Sequence, residues 1–281
     1  MLQKVRDLWS LIKCKQTFLL LFTGLVGYAS GLKGGGGPAL YGGLLGSLFL
    51  AISGTTVLNM VYDRDIDAVM SRTRHRPLAA GRLRPRDAVL LGAAMSAAGL
   101  GWALALDLRY GLVVLAGWLL DLVVYTVWLK RRTPWSVIWG GLSGGMPVLA
   151  GRALATGQVE VIGLLLALAV LLWIPTHIMT FSIKYAADYA AAGVPVFPNV
   201  YGLRTTQVAI SLSTVLAAAV MTGVTWQLAE HLGAVAVASA LAMVLVGLGA
   251  NALIRPSVQV NLRLFKFASV YMVSAMALML L

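Results

Sequence analysis

Three side chains set four residues apart, Asn59, Asp63 and Asp67, place an amide and two carboxylates in the stretch Asn59-Met-Val-Tyr-Asp-Arg-Asp-Ile-Asp67. Every fourth residue of a helix points within about 40° of the last, so the three share one face. Like charges at that spacing repel, and carboxylates at a membrane boundary are costly unless a cation compensates them. Mg2+ suits the role: it takes oxygen ligands, keeps several waters, and commonly bridges one or two carboxylates to phosphate oxygens. A solvated, Asp-rich helix end neutralised by nearby arginines would use the same residues. Directly downstream, Met70 to Arg82 carries Arg72, Arg74, Arg76 and Arg82 around His75 and Pro77. Guanidinium groups bind phosphate bidentately and stabilise a departing diphosphate. Alone the run would read as a turn with topological charge; beside the carboxylates it reads as a diphosphate pocket. Arg84 and Arg86 belong to topology.

The elements that must position these residues are membrane helices. Of 281 residues, 59% are hydrophobic and only 11% charged, too few charges to cover a soluble domain of this size. Apolar segments occur at about 17–32, 39–62, 87–106, 110–129, 134–153, 160–183, 205–227, 232–253 and 262–281, each near the roughly 20 residues a span requires. The expectation is an all-α, polytopic bundle of about nine spans forming one domain over 1–281. Residues 1–16, with Lys4, Arg6, Lys13 and Lys15 against Val5, Leu8, Trp9 and Ile12, read as an interfacial amphipathic helix and not as a leader to be removed.

The formal charge of +12 follows topology and not nucleic acid. With the N-terminus inside, 19 of the 22 Lys and Arg fall on the inner side and only Lys33, Arg109 and Arg152 outside. That split predicts a cytoplasmic N-terminus, an outer C-terminus and a site facing the cytoplasm, while an N-terminal segment short for a mitochondrial presequence points to a prokaryotic plasma membrane. Two inner loops, 63–86 and 184–204, are longer than a turn needs and mix carboxylates with cations. Lying four spans apart, they hint at two related halves. The glycines at 34–37 read as an outer loop, and those at 140–145 as points where helices approach closely. The single cysteine, Cys14, excludes an internal disulfide.

These residues also match a known pattern. Asn59 to Gly81, an N-x-x-x-D-x-x-x-D core followed by M-x-R-T-x-x-R-P, resembles the intramembrane UbiA-type prenyltransferase superfamily of the ubiquinone and menaquinone pathways. Two later segments are similar to its protohaem IX farnesyltransferase (haem O synthase) branch. One is Tyr125-Thr-Val-Trp-Leu-Lys130-Arg131-Arg132-Thr133-Pro134 with Gly140, Gly141 and Pro147. The other runs from Trp173-Ile-Pro175-Thr-His177 through Lys184 and Tyr185 to Asp188, Tyr189, Gly193 and Pro195. The likeness covers about residues 17–281. Where members read A-G-[IV]-P-M-L-P, this chain has Gly193-Val-Pro195-Val196-Phe197-Pro198. Its second acidic segment offers one carboxylate, Asp188, where many members carry two. Asp121, in the middle of the fourth span, is not part of the pattern.

The resemblance implies Mg2+-dependent transfer of a farnesyl group from farnesyl diphosphate to a vinyl carbon of protohaem IX, with hydroxylation from water, giving haem O. It implies metal held by Asn59, Asp63, Asp67 and Asp188, and a catalytic centre of Asp63, Asp67, Lys184, Asp188 and Tyr125. Diphosphate would meet Arg72, Arg76, Lys130 and Arg131. An apolar cavity lined by Tyr125, Tyr185 and Trp173 would shield the allylic cation from water. His177, late in the sixth span, is expected to meet haem, imidazole being a common axial ligand; bracing the kink at Pro175 is its other use. Further partners would be membrane lipid, and haem A synthase or the terminal oxidase assembly. The alternatives are a sister prenyltransferase acting on an aromatic or quinone precursor, a transporter, and a non-catalytic scaffold. Charges gathered at one face argue against a transport site at the midplane, though Asp121 favours one. A scaffold needs no carboxylates at metal spacing.

Overall fold

Leucine-, alanine- and valine-rich segments with few charges satisfy their backbone polar groups internally in lipid only as helices or closed barrels. Helices are what form. The computed structural model describes residues 2–32, 37–255 and 257–281, with side chains from residue 6 onward. Lys33 and all but the last residue of the expected outer loop at 34–37 lie outside the described residues, as do the side chains of Lys4 and Val5. Among the described residues there are twelve helices and no strand. They are α1 (Leu2–Leu11), α2 (Cys14–Gly31), α3 (Pro38–Tyr62), α4 (Arg64–Val69), α5 (Pro85–Leu106) and α6 (Leu108–Leu129). Then follow α7 (Ser136–Thr156), α8 (Val161–Lys184), α9 (Ala186–Ala191), α10 (Phe197–Leu228), α11 (Leu232–Ile254) and α12 (Val258–Leu278).

Six of these, α3, α5, α6, α8, α10 and α11, are long and apolar enough to cross a membrane. The remaining apolar segments fall on α2, α7 and α12, of 18, 21 and 21 residues. Large apolar side chains such as Leu164, Leu212, Met243 and Val270 face outward. In a soluble protein such a surface would be a liability, and in a bilayer it is the solvated face. This is an integral membrane protein. One core joins α2, α3, α5, α6 and α7 around Leu44, Leu48 and Tyr110; another joins α7, α8, α10, α11 and α12 around Leu166, Ile210 and Tyr271. α7 belongs to both, through Val148 and Leu149. It packs closely on α2, where Gly27 meets the backbone of Val148 and Gly151 that of Gly24. Any side chain at Gly27 or Gly151 would force the helices apart.

Three local features differ from the sequence reading. The first 16 residues are not one helix: α1 ends at Leu11, and Lys13 adopts a left-handed φ of 43° before α2 begins. That turn buries Leu11 and Asp7 and carries Lys13 inward. Second, α10 starts within the expected 184–204 loop, at Phe197, and is broken by Gly202 at φ 79°, a conformation glycine adopts without strain. Third, α6 is α-helical only to Trp118 and a π-helix from Leu119 to Leu129.

Candidate active site

The acidic face forms as its spacing predicts. The helical ladder runs through the end of α3 into α4, with the Asp63 amide donating to the Asn59 carbonyl (2.9 Å) and the Asp67 amide to that of Asp63 (2.8 Å). Asn59, Asp63 and Asp67 are all buried, and each is met by a group from elsewhere in the chain. Lys130, just past α6, pairs with Asp63 through Oδ2. Arg76 donates from Nη1 to both Asp67 oxygens at 3.0 and 2.8 Å. The Asn59 amide donates to Thr126 Oγ1 (2.7 Å), and Lys13 Nζ lies 3.4 Å from Asn59 Oδ1. Burial, with Arg76 and Lys130 close by, lowers the Lys13 ammonium to about 8. Burial works on Lys130 in the same direction, but the Asp63 carboxylate outweighs it and holds that ammonium above its ordinary range.

Asp63 Oδ1 is buried with no hydrogen-bond partner among the described residues, although its twin oxygen is paired. A carboxylate oxygen left bare in a buried site costs on the order of 1–3 kcal/mol unless a ligand takes it. Among the described residues no three His, Cys, Asp or Glu side chains gather closely enough to form a metal cage. The donor set therefore fits Mg2+, which shares its shell with phosphate and water, and not a cation held by protein alone.

The second loop docks on the first. Tyr189, Ala192, Val194 and Val196 pack on Ile66 and Met70. Asp188 accepts from Ser71 Oγ (2.7 Å) and from the Arg72 amide (3.3 Å), and the Ser71 hydroxyl in particular holds its carboxyl below the usual range. Asp188 is thus tied to the arginine loop and is not grouped with Asp63 and Asp67. Arg72 lies over the Tyr185 ring at 5.4 Å, with its buried Nε unpartnered. Lys184 is exposed and lies over the same ring at 5.2 Å. Arg131 is brought to Asp65, with two bonds of 2.7 Å, and to the Tyr62 carbonyl and ring.

That bond to Arg131 is the main reason the Asp65 carboxyl falls to about 2 from 3.8. A depressed carboxyl contributes stability above its unfolded value and loses it as pH falls through the folded one. The thermal stability difference between the protein and its Asp65→Asn variant should therefore shrink between about pH 4 and pH 2. Because Asp65 is 61% exposed, the difference should be small throughout.

His177 sits in an aromatic stripe. Trp173, His177, Phe181 and Tyr185 recur at every fourth residue of α8 and its C-cap, with centroids 5.3, 5.4 and 6.3 Å apart. Phe265 of α12 closes on His177 at 4.7 Å. The stripe runs from His177 to the ring beneath Arg72, joining the histidine to the arginine loop. His177 Nδ1 is buried and has no hydrogen-bond partner among the described residues. Among the described residues it makes no hydrogen bond around Pro175; hydroxyls of α10 do, Ser213 bonding the Leu172 carbonyl and Thr214 bonding Thr176. Tyr125 lies against Gly140, with the Lys130 ammonium 5.7 Å from its ring. His75 is exposed.

Sequence reading missed Lys13, Thr126, Ser71, Phe181 and Phe265. The four-residue aromatic repeat was a readable signal for Phe181. Lys13 gave none, its charge being indistinguishable from the topological lysines beside it.

The match to the UbiA prenyltransferase family model runs from residue 20 to 271 and takes in every helix that carries the site. The chain belongs to this family. A relative from Thermofilum pendens named protohaem IX farnesyltransferase is 50% identical over 206 residues, 73% of this chain and 72% of its own length. One of the same name from Archaeoglobus fulgidus is 44% identical over 76% of this chain and 75% of its own. Among solved structures, a digeranylgeranylglyceryl phosphate synthase superposes with a TM-score of 0.79 at 19% identity, over 99% of this chain and 98% of its own. A UbiA homologue from Archaeoglobus fulgidus bound to GPP and Mg2+ superposes with a TM-score of 0.72 at 17% identity, over 97% and 99%. At those identities the superpositions establish that this member of the UbiA prenyltransferase family has the family fold.

Proposed function

We propose that the protein transfers a farnesyl group from farnesyl diphosphate to a vinyl carbon of protohaem IX, with water supplying a hydroxyl, to give haem O. The observation that carries the prenyl-transfer half is the buried Asn59–Asp63–Asp67 face with a bare Asp63 oxygen, ringed by Lys13, Arg76 and Lys130. Two buried carboxylates under three cations suit a ligand that is both an anion and a metal carrier, which is what a magnesium diphosphate is. The acceptor half is supported by the farnesyltransferase relatives and by His177, whose free Nδ1 lies among rings that would pack on a porphyrin.

Asn59, Asp63 and Asp67 would hold Mg2+, whose chemistry there is to neutralise the leaving diphosphate. Lys130, Arg76 and Lys13 donate to phosphate oxygens as charge builds on them when the C1–O bond breaks. Arg72, over the Tyr185 ring with its Nε unspent, is a further candidate donor to the diphosphate. The rings of Tyr125, Tyr185 and Phe181 offer their faces to the allylic cation and exclude bulk water. Asp188 positions the arginine loop through Ser71 and the Arg72 amide. The gathering of these cations at one end of the spans supports a site opening to the cytoplasm.

The test is to incubate the purified protein in detergent with Mg2+, farnesyl diphosphate and protohaem, and to seek a farnesyl-hydroxyethyl haem by mass spectrometry. The product should form and should be lost on adding EDTA. Diphosphate release only with an aromatic acceptor would move the protein to a sister branch, and no diphosphate chemistry at all would overturn the reading. His177→Ala should weaken protohaem binding about tenfold, the worth of roughly 1.4 kcal/mol. The KM for farnesyl diphosphate should stay unchanged. A Soret titration reads the first, and an unaltered haem spectrum would remove His177 from the acceptor site.

A further inference from the structure

The π-helix in α6 places a carboxylate where an α-helix would not. Asp121 and Lys130 are nine residues apart, about two and a half α-helical turns, which would set them on opposite faces. With i→i+5 bonds the same nine residues make roughly two turns and return both to one face. The wider ladder is visible in the Lys130 amide bonding the Tyr125 carbonyl at 2.8 Å, and in Thr126 Oγ1 bonding the Asp121 carbonyl at 2.7 Å. That same Thr126 hydroxyl accepts from Asn59, so the π-segment is fastened to the acidic face. Asp121 lies close enough to Lys13, Lys130 and Asp63 to interact with their charges, and within hydrogen-bonding reach of Ser143 on α7. It is half-buried and forms no ion pair among the described residues. At up to 1.5 Å per residue, the nine residues between them set Asp121 at most about 13 Å from Lys130 along α6.

The chemistry of haem O formation needs a proton acceptor near the reacting vinyl group. The C1–O bond of farnesyl diphosphate breaks with its electrons leaving on diphosphate, and the vinyl π pair forms the new bond to C1. The vinyl carbon beside the porphyrin ring is then cationic. A lone pair of water forms the C–O bond there, and one water proton must go elsewhere to leave a hydroxyl. Without a positioned proton acceptor, the cation instead sheds a proton from its neighbouring carbon and ends as an alkene. We propose that Asp121, with Ser143 beside it, holds this water and accepts its proton. The assignment rests on the haem-farnesylating reading above. A half-buried carboxylate that forms no ion pair among the described residues is a costly element in lipid, and a π-helix that turns it toward the site gives it a use.

The test measures the ratio of hydroxylated farnesyl-haem to the product lighter by one water, together with diphosphate release, in full-length protein and variants. Asp121→Asn is read by its product ratio, which does not depend on how fast farnesyl is attached. Its product ratio should shift toward the alkene by on the order of a hundredfold, the usual worth of a proton-transfer group. Asp121→Glu should recover part of the hydroxylated product. If Asp121→Asn does not accumulate as folded protein, Ser143→Ala should show the same shift at smaller size. An unchanged ratio in whichever of these variants is assayed overturns the assignment of Asp121 alone. Unaltered protein that forms no farnesylated haem overturns both the assignment and the functional reading beneath it.

Discussion

Asp63→Asn is expected to abolish Mg2+-dependent turnover, a loss of about a thousandfold or more in kcat/KM. The substitution keeps the shape of the side chain and removes its charge. Asp63 is the most buried of the three acidic-face residues and the only one carrying a bare oxygen, so it has a partner still to gain. Losing the charge removes the strongest donor offered to the metal and frees Lys130 from its anchor. Titrating Mg2+ against diphosphate release should show no saturation in the variant up to concentrations that saturate the unaltered protein. The control lies two residues away. Asp65 is exposed, pairs with Arg131, and points off the acidic face, so Asp65→Asn should cost less than about fivefold, as expected of a surface ion pair. Equal losses in the two variants would mean that the 59–67 segment matters for folding and not for metal.

The contrast between Asp63 and Asp65 is legible in the residue spacing alone, because a four-residue repeat on a helix fixes which carboxylates share a face. The helices themselves are equally legible: lipid leaves the backbone so few options that apolar length and charge placement nearly suffice. Six of the expected segments coincide with helices long and apolar enough to span. What escapes the sequence is set by single backbone events. Lys13 reads as one of several topological lysines until a left-handed turn swings it onto Asn59. Asp121 reads as facing away from Lys130 on any 3.6-residue count, and only the i→i+5 ladder reverses that. Arg131 and Lys130 are neighbours of like charge, yet one goes to an exposed carboxylate and the other to a buried one. Pattern could name both as cations near phosphate but could not divide the work between them, because the division depends on which face of the segment from α3 into α4 each loop residue reaches.

Lys130 provides the sharper test of that division. Lys130→Met should lower kcat/KM by about a hundredfold to a thousandfold, the range seen when one preorganised donor to developing negative charge is removed. It should also destabilise the protein by roughly 3–5 kcal/mol, since Asp63 would be left buried without its counter-ion. The two losses have different origins, and a double-mutant cycle separates them. In Asp63→Asn combined with Lys130→Met, the stranded charge is gone and thermal stability in detergent should largely return. Activity should not return, because neither the metal ligand nor the phosphate donor is present. Lys130→Arg should keep the ion pair and most of the stability but regain activity only in part, a planar fork being unable to stand where a compact ammonium bridges Asp63 and phosphate. If the double variant recovered turnover along with stability, the Asp63–Lys130 pair would be a packing device. The diphosphate would then have to be sought at Arg72 and the second loop.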